Sequence, residues 1–344
     1  MKAIAILFGL LKLRLPEPLL RRLIGRKLKT VDGRKADPYA QVVGEIANAL
    51  RGDSLPTVEQ SRTQLDSMAA KFDLPCPEGI ARHDVTMPGA VSGRPARIYV
   101  EEGRDLHAPG PTLLYLHGGG WMQGSIASHD GLCGRLAQKA GIRVISYDYR
   151  LAPEARYPAA NDDVLTLYTA LASDDGPWNI DLARLAIGGD SAGANLTAGL
   201  MHDLAERGLP MPRAQLLIYP ALDGRLQSGS MQSLRDGWLL TRQRIDWYLD
   251  LYLPEGHDRT DPRFSPGLSP HLTGQPETLI IAAGHDPLRD EALAHARALQ
   301  AAGVGADIAE YPGQLHGFLS LSRVIPQGEE ATSTAAQWLR DTLH

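Results

Sequence analysis

The chain has 344 residues, 43% apolar and 22% charged, which suits a soluble globular protein with one large domain or two. A net charge of −5 gives no reason to expect nucleic acid, and no apolar run reaches the roughly 18 residues of a spanning helix. Cys76 and Cys133 are too few for a disulfide framework and lack zinc-type spacing, which fits a reducing compartment.

Residues 1–29 carry eight basic side chains against Glu17 alone, a net +7, leaving −12 for the rest of the chain. Ala3–Leu11 is apolar enough for a secretory leader, but Lys12 and Arg14 stand where small residues should mark cleavage, so a leader is not expected. From Pro18 the pattern is helical, with Leu19, Leu20, Leu23, Ile24 and Leu28 on one face and Arg21, Arg22 and Arg26 opposite. The expectation is a surface helix laid on the main domain, its leucines packing over a pocket. A weak peripheral membrane contact through residues 1–29 stays open beside it.

From about residue 83, short aliphatic runs alternate with helical stretches. Strands are expected at Arg97–Glu101, Thr112–Leu116, Arg143–Tyr147, Leu185–Gly188, Gln215–Tyr219, Thr278–Ala282 and Asp307–Tyr311. Helices are expected at His129–Ala140, Ala159–Ala172, Ala192–Arg207, Arg289–Ala302 and Thr332–Leu343. The strand runs are continuous rather than alternating, as in a mostly parallel sheet covered on both faces by helices, so the fold class is α/β. Residues 222–272 break the rhythm with a helix near Thr241–Leu253 and a Pro/Gly-rich tail. The expected division is residues 1–80 as N-terminal cap helices, 81–221 and 273–344 as the core, and 222–272 as a cap insertion.

Three glycines, Gly118–Gly120, follow the TLLYL strand directly, although glycine packs nothing and costs backbone entropy. Farther on, GDSAG (189–193) joins the LAIGG strand to a helix, and a serine at so sharp a turn stands clear of the sheet edge. A serine hydroxyl needs a base, and the base an orienting acid. Asp286 ends one later strand and His316 follows the next, 95 and then 30 residues on. His129, His202, His285 and His295 fit less well and are read as surface or capping residues. An acyl-transfer serine also needs donors for the oxyanion; the helix-start N–H of Ala192 is one, and a loop free of side chains at Gly118–Gly120 supplies others. Asp148 and Glu154 are read as structural, paired with arginines such as Arg150, and Asp290 as a helix cap.

Taken together, HGGGW (117–121), YDYRLAPE (147–154), GDSAGAN (189–195), DPLRDE (286–291) and HGF (316–318) resemble the hormone-sensitive lipase family of α/β-hydrolases, the bacterial family IV esterases, from about residue 75 to the end. The resemblance implies an α/β-hydrolase fold with a helical cap. It implies Ser191 as nucleophile, His316 as base and Asp286 as its partner, with the N–H groups of Gly119, Gly120 and Ala192 as oxyanion donors and Gly118 supporting the loop. It implies hydrolysis of short- to medium-chain carboxylic esters without metal or cofactor, mostly in the cytoplasm and often as a homodimer. Amide, lactone or acetyl-group hydrolysis by the same triad remains the alternative, with a non-catalytic small-molecule binder behind it.

Overall fold

The computed structural model describes residues 2–52, 54–173 and 178–344, with side chains from residue 6 onward. Lys2, among the basic residues counted above, therefore has its side chain outside the described set.

An eight-stranded sheet forms the centre: β3 (Ile80–Met87), β4 (Arg94–Glu101), β5 (Thr112–Leu116), β6 (Arg143–Tyr147), β7 (Leu185–Asp190), β8 (Ala214–Ile218), β9 (Glu277–His285) and β10 (Ala306–Leu315). A two-residue pair, β1 (Thr30–Val31) and β2 (Arg34–Lys35), stands apart from it. The spatial order is β10-β9-β8-β7-β5-β6-β4-β3. Strands β5 to β10 pair in parallel, while β4 runs antiparallel to β6 and β3 antiparallel to β4.

Successive strand residues feed opposite cores. Leu113 and Tyr115 join a cluster with Leu132, Leu136 and Leu339, whereas Leu114 and Leu116 join one with Leu196, Leu200 and Tyr168. That two-sided burial explains the unbroken apolar runs. Helices α5 (Asp130–Ala140) and α11 (Pro326–Leu343) cover one face; α6 (Ala159–Leu171), α7 (Ala192–Arg207) and α10 (Arg289–Ala301) cover the other. All seven expected strands are present. The sequence reading missed β3, an edge strand with only Ile80 and Met87 buried and therefore no apolar run to betray it. Helix α11 starts six residues before the expected Thr332 because Pro326 occupies its first position, where proline's fixed φ suits a helix start.

Among the described residues, six further α-helices lie outside these layers: α1 (Lys2–Lys12), α2 (Glu17–Ile24), α3 (Pro38–Leu50) and α4 (Val58–Phe72) from the N-terminal segment, and the short α8 (Gly229–Ser233) and α9 (Arg242–Tyr252) from the 222–272 segment. Their starts are locally encoded. The Asp37 carboxylate accepts the N–H groups of Tyr39 and Ala40, and Thr57 with Gln60 forms a reciprocal capping box. The two segments touch: Ser233 Oγ donates to Asp32 Oδ2 (2.6 Å), and a side chain on Gly44 would overlap Trp238.

Candidate active site

The site lies where β5, β7, β9 and β10 end. Ser191, between β7 and α7, has φ 53° and ψ −114°, a backbone state costing about 1–3 kcal/mol in a non-glycine residue. Its surroundings hold it there: Ser191 N donates to Ile218 O (2.8 Å), and Asn195 N donates to Ser191 O (3.0 Å). Gly189 and Gly193 are required by close approach, since a Cβ on either would collide with Leu116 O.

Strand β9 runs up to His285 and β10 up to Leu315, so Asp286 and His316 are the first residues past two neighbouring strand ends. His316 Nε2 lies 2.9 Å from Ser191 Oγ, and His316 Nδ1 lies 2.6 Å from Asp286 Oδ2. Asp286 is buried, and its Oδ1 accepts the Leu288 N–H at 2.9 Å. With the Nδ1 proton held by the carboxylate, Nε2 is left as the acceptor for the serine hydroxyl.

The glycine loop faces this serine. Gly118 N donates to Asp190 Oδ1 (2.8 Å), which fixes the start of the loop. Gly119 has φ 126° and Gly120 φ 59°; among the described residues their N–H groups have no partner. Ala192 is the first residue of α7, so its N–H is likewise left free by the helix. A Cβ on Gly119 would overlap Gln123 O. The structure thus brings together all seven residues named from the sequence.

Behind the loop is a contact the sequence reading missed. Asp190 Oδ1 also accepts the Tyr115 hydroxyl (2.8 Å) and lies 3.1 Å from His129 Nε2. Burial pushes the Asp190 carboxyl up, but His129, Tyr115 and Gly118 outweigh it and hold it below the usual carboxylate range. Burial likewise pushes His129 down, and Asp190 outweighs it, leaving the imidazole above its ordinary value. His129 is therefore no surface or capping residue. It is a buried imidazole 3.1 Å from the carboxylate that positions the glycine loop, and no regular spacing links it to Asp190.

Other expectations need correcting. Arg150 pairs with Asp163 (2.8 Å), Glu154 with Arg62 (2.7 Å), and Asp148 Oδ1 accepts the Ile126 N–H (2.9 Å), so neither acid uses Arg150. Asp290 does not cap its own helix; its Oδ2 accepts the Ser230 N–H of α8 (2.7 Å). His202 and His295 are buried within helices, and His285 is buried with its ring stacked on Trp238. Among the described residues none before Ser61 lines the cavity, so the leucines of α1 and α2 do not cover it as expected.

That cavity, about 200 Å³, opens onto Ser191 and His316 and is walled by Leu65 and Met68 of α4, Ile245 and Leu249 of α9, and Phe264 and Leu288. Among the described residues, no three His, Cys, Asp or Glu side chains converge as a metal site.

Residues 113–320 match the family described by the α/β-hydrolase fold. The chain belongs to that family. It is similar to the ethyl acetate hydrolase of Pseudomonas putida, 40% identical over 250 residues, which are 72% of this chain and 79% of that protein. It is also similar to the carboxylic ester hydrolase LipN of Mycobacterium tuberculosis, 37% identical over 340 residues, 96% of this chain and 89% of that one. Among solved structures, an ester hydrolase from the Lake Arreo metagenome superposes with a TM-score of 0.84 at 36% identity, over 89% of this chain and 98% of its own. Within the α/β-hydrolases the protein is one of the hormone-sensitive lipase-like esterases.

Proposed function

We propose that Ser191, His316 and Asp286 hydrolyse short- to medium-chain carboxylic esters through an acyl-enzyme. The protein is a carboxylic ester hydrolase by its family; the residue roles and the acyl range are what we infer. One observation carries the reading: an unbroken hydrogen-bonded line from Ser191 Oγ through His316 to buried Asp286.

Ser191 Oγ attacks the ester carbonyl while His316 Nε2 takes its proton, and Asp286 stabilises the imidazolium. The carbonyl oxygen becomes an oxyanion facing the N–H groups of Gly119, Gly120 and Ala192. Collapse expels the alcohol, which receives the proton from His316. Water, deprotonated by His316, then attacks the acyl carbonyl, and collapse returns the proton to Ser191 and frees the acid. The same triad would serve acetyl-group, lactone or amide hydrolysis, and the apolar cavity favours the alkyl ester.

A series of p-nitrophenyl esters tests this. We expect kcat/KM to peak at roughly C4–C8, each buried methylene adding about 0.8 kcal/mol until the cavity is full. Fast hydrolysis of emulsified long-chain triglyceride would contradict it.

The cap division is part of the same proposal, with α4 and residues 222–272 closing the cavity and α1 and α2 given a different task. Leu20, Ile24 and Leu28 are buried, but Leu7 (59% exposed), Phe8 (60%), Leu19 (54%) and Leu23 (58%) face outward. They accompany a surplus of basic residues, as in an interfacial helix on an anionic membrane. Among the described residues no helix is long and apolar enough to cross a membrane. We infer a cytoplasmic enzyme, consistent with its free Cys76 and Cys133, that touches the membrane peripherally.

A further inference from the structure

Six side chains lining the catalytic cavity can carry charge: His129, Asp190, Asp223, Arg244, Glu291 and His316. Five are compensated. Asp190 meets His129 at 3.1 Å, Asp223 is gripped by Arg225 (2.7 Å), and His316 is bonded to Asp286. Glu291 is buried and accepts the Leu222 N–H (2.7 Å), and that burial pushes its carboxyl well above the ordinary range, disfavouring the charged form.

Arg244 is the exception. Among the described residues no carboxylate lies within 4.0 Å of it. Its Nη2 reaches the Ser61 hydroxyl at 3.4 Å, its side chain also hydrogen-bonds the neutral Tyr248 hydroxyl, and among the described residues its buried Nε has no partner. Other buried or half-buried arginines are better satisfied: Arg135 pairs with Asp73, Arg263 with Asp203 and Arg289 with Asp290, while Arg143 donates to Thr112 Oγ1 and the Leu106 and Trp178 carbonyls. Arg51, outside the cavity wall, donates to the Gly237 and Trp238 carbonyls. It too makes no ion pair among the described residues, and burial together with Arg244 lowers its pKa. The cavity therefore ends in an unbalanced positive charge presented as a planar fork, the geometry that binds a carboxylate through two N–H groups.

Its place in the fold sets the reach. Arg244 and Tyr248 lie one turn apart on α9, so their Cβ atoms are about 5–6 Å apart. The Tyr248 ring abuts Gly120, and its hydroxyl accepts from Gln123 Nε2 (3.1 Å). Arg244 and the glycine loop thus line one cavity, with the Tyr248 ring against the loop.

We propose that the substrate is an ester carrying a carboxylate on a short tether, recognised by Arg244. The inference rests on the ester-hydrolase reading and deepens it. The test compares kcat/KM within two matched pairs by pH-stat. Monoethyl succinate against ethyl butyrate places the anion in the acyl arm; acetoxyacetate against propyl acetate places it in the alcohol arm. At low salt the wild-type enzyme should favour the charged member of one pair by about 10-fold or more, as a charge-assisted bidentate contact permits, and salt should erode the preference. Arg244→Gln should bring that ratio close to unity, and Arg244→Lys should keep part of it. Turnover of the neutral esters with no charged preference in either pair, or a ratio unchanged in Arg244→Gln, overturns the inference and leaves the hydrolase reading standing. No turnover of any ester overturns both.

Discussion

Gly120 and Tyr248 occupy adjoining space so closely that a Cβ on the glycine would lie 2.5 Å from the tyrosine ring carbon Cδ2. The glycine loop and helix α9 are therefore one packed unit, joined through a residue that also has φ 59°. Gly120→Ala introduces both a collision and a disfavoured backbone state. Losing one oxyanion donor costs on the order of 10²- to 10³-fold in kcat, so kcat should fall much more than KM rises. Adding Tyr248→Ala should restore part of the loss by removing the collision. Steady-state kinetics of the single and double variants decide it; a pure KM effect would place the loop in ground-state binding.

The parts of this site that are legible in sequence share one property: each is local. Gly118–Gly120, Ser191, Asp286 and His316 all sit just past a strand end, where a short motif and the preceding aliphatic run specify position together. What stayed hidden depends on contacts between distant segments. His129 meets Asp190 from 61 residues away, and Glu154 finds Arg62 rather than its neighbour Arg150. Edge strand β3 was missed because one-sided burial leaves no apolar run, and α1 and α2 were placed over the cavity because helical amphipathicity tells which face is apolar without telling what covers it.

His295 supplies a pH prediction. It is buried in α10, neither ring nitrogen has a hydrogen-bond partner among the described residues, and burial lowers its pKa to about 4. Its folded pKa lies below the unfolded value of about 6.5, so the unfolded chain binds the extra proton between these two pH values. Stability from keeping this ring neutral is full above about pH 6.5 and is lost as pH falls toward 4, about 3 kcal/mol in all at 1.36 kcal/mol per unit. His295→Leu should be relieved of that loss. Its Tm advantage over the wild type should widen steadily from pH 7 to 4.5; parallel curves would show that the ring titrates normally.

The outward face of α1 and α2 is tested by substitution rather than truncation, because Leu20, Ile24 and Leu28 are packed into the domain. Leu7→Ser, Phe8→Ser, Leu19→Ser and Leu23→Ser combined should abolish co-sedimentation with anionic vesicles. Binding of the unaltered chain should weaken with salt, each basic residue near the surface contributing about 1 kcal/mol. Kinetics on soluble esters should not change, since among the described residues none before Ser61 lines the cavity. Undiminished vesicle binding by the variant would show that this face is not the contact.

Removal of the Ser191 hydroxyl is the most direct test of the proposed chemistry. Ser191 Oγ accepts no role in holding the fold beyond its 2.9 Å contact with His316, so Ser191→Ala should fold normally by circular dichroism and thermal unfolding. Its kcat/KM on a p-nitrophenyl ester should fall by several orders of magnitude, to the residual rate that oxyanion donors and binding supply alone. A correctly folded Ser191→Ala protein that kept more than about a tenth of the activity would contradict the assignment of Ser191 as nucleophile.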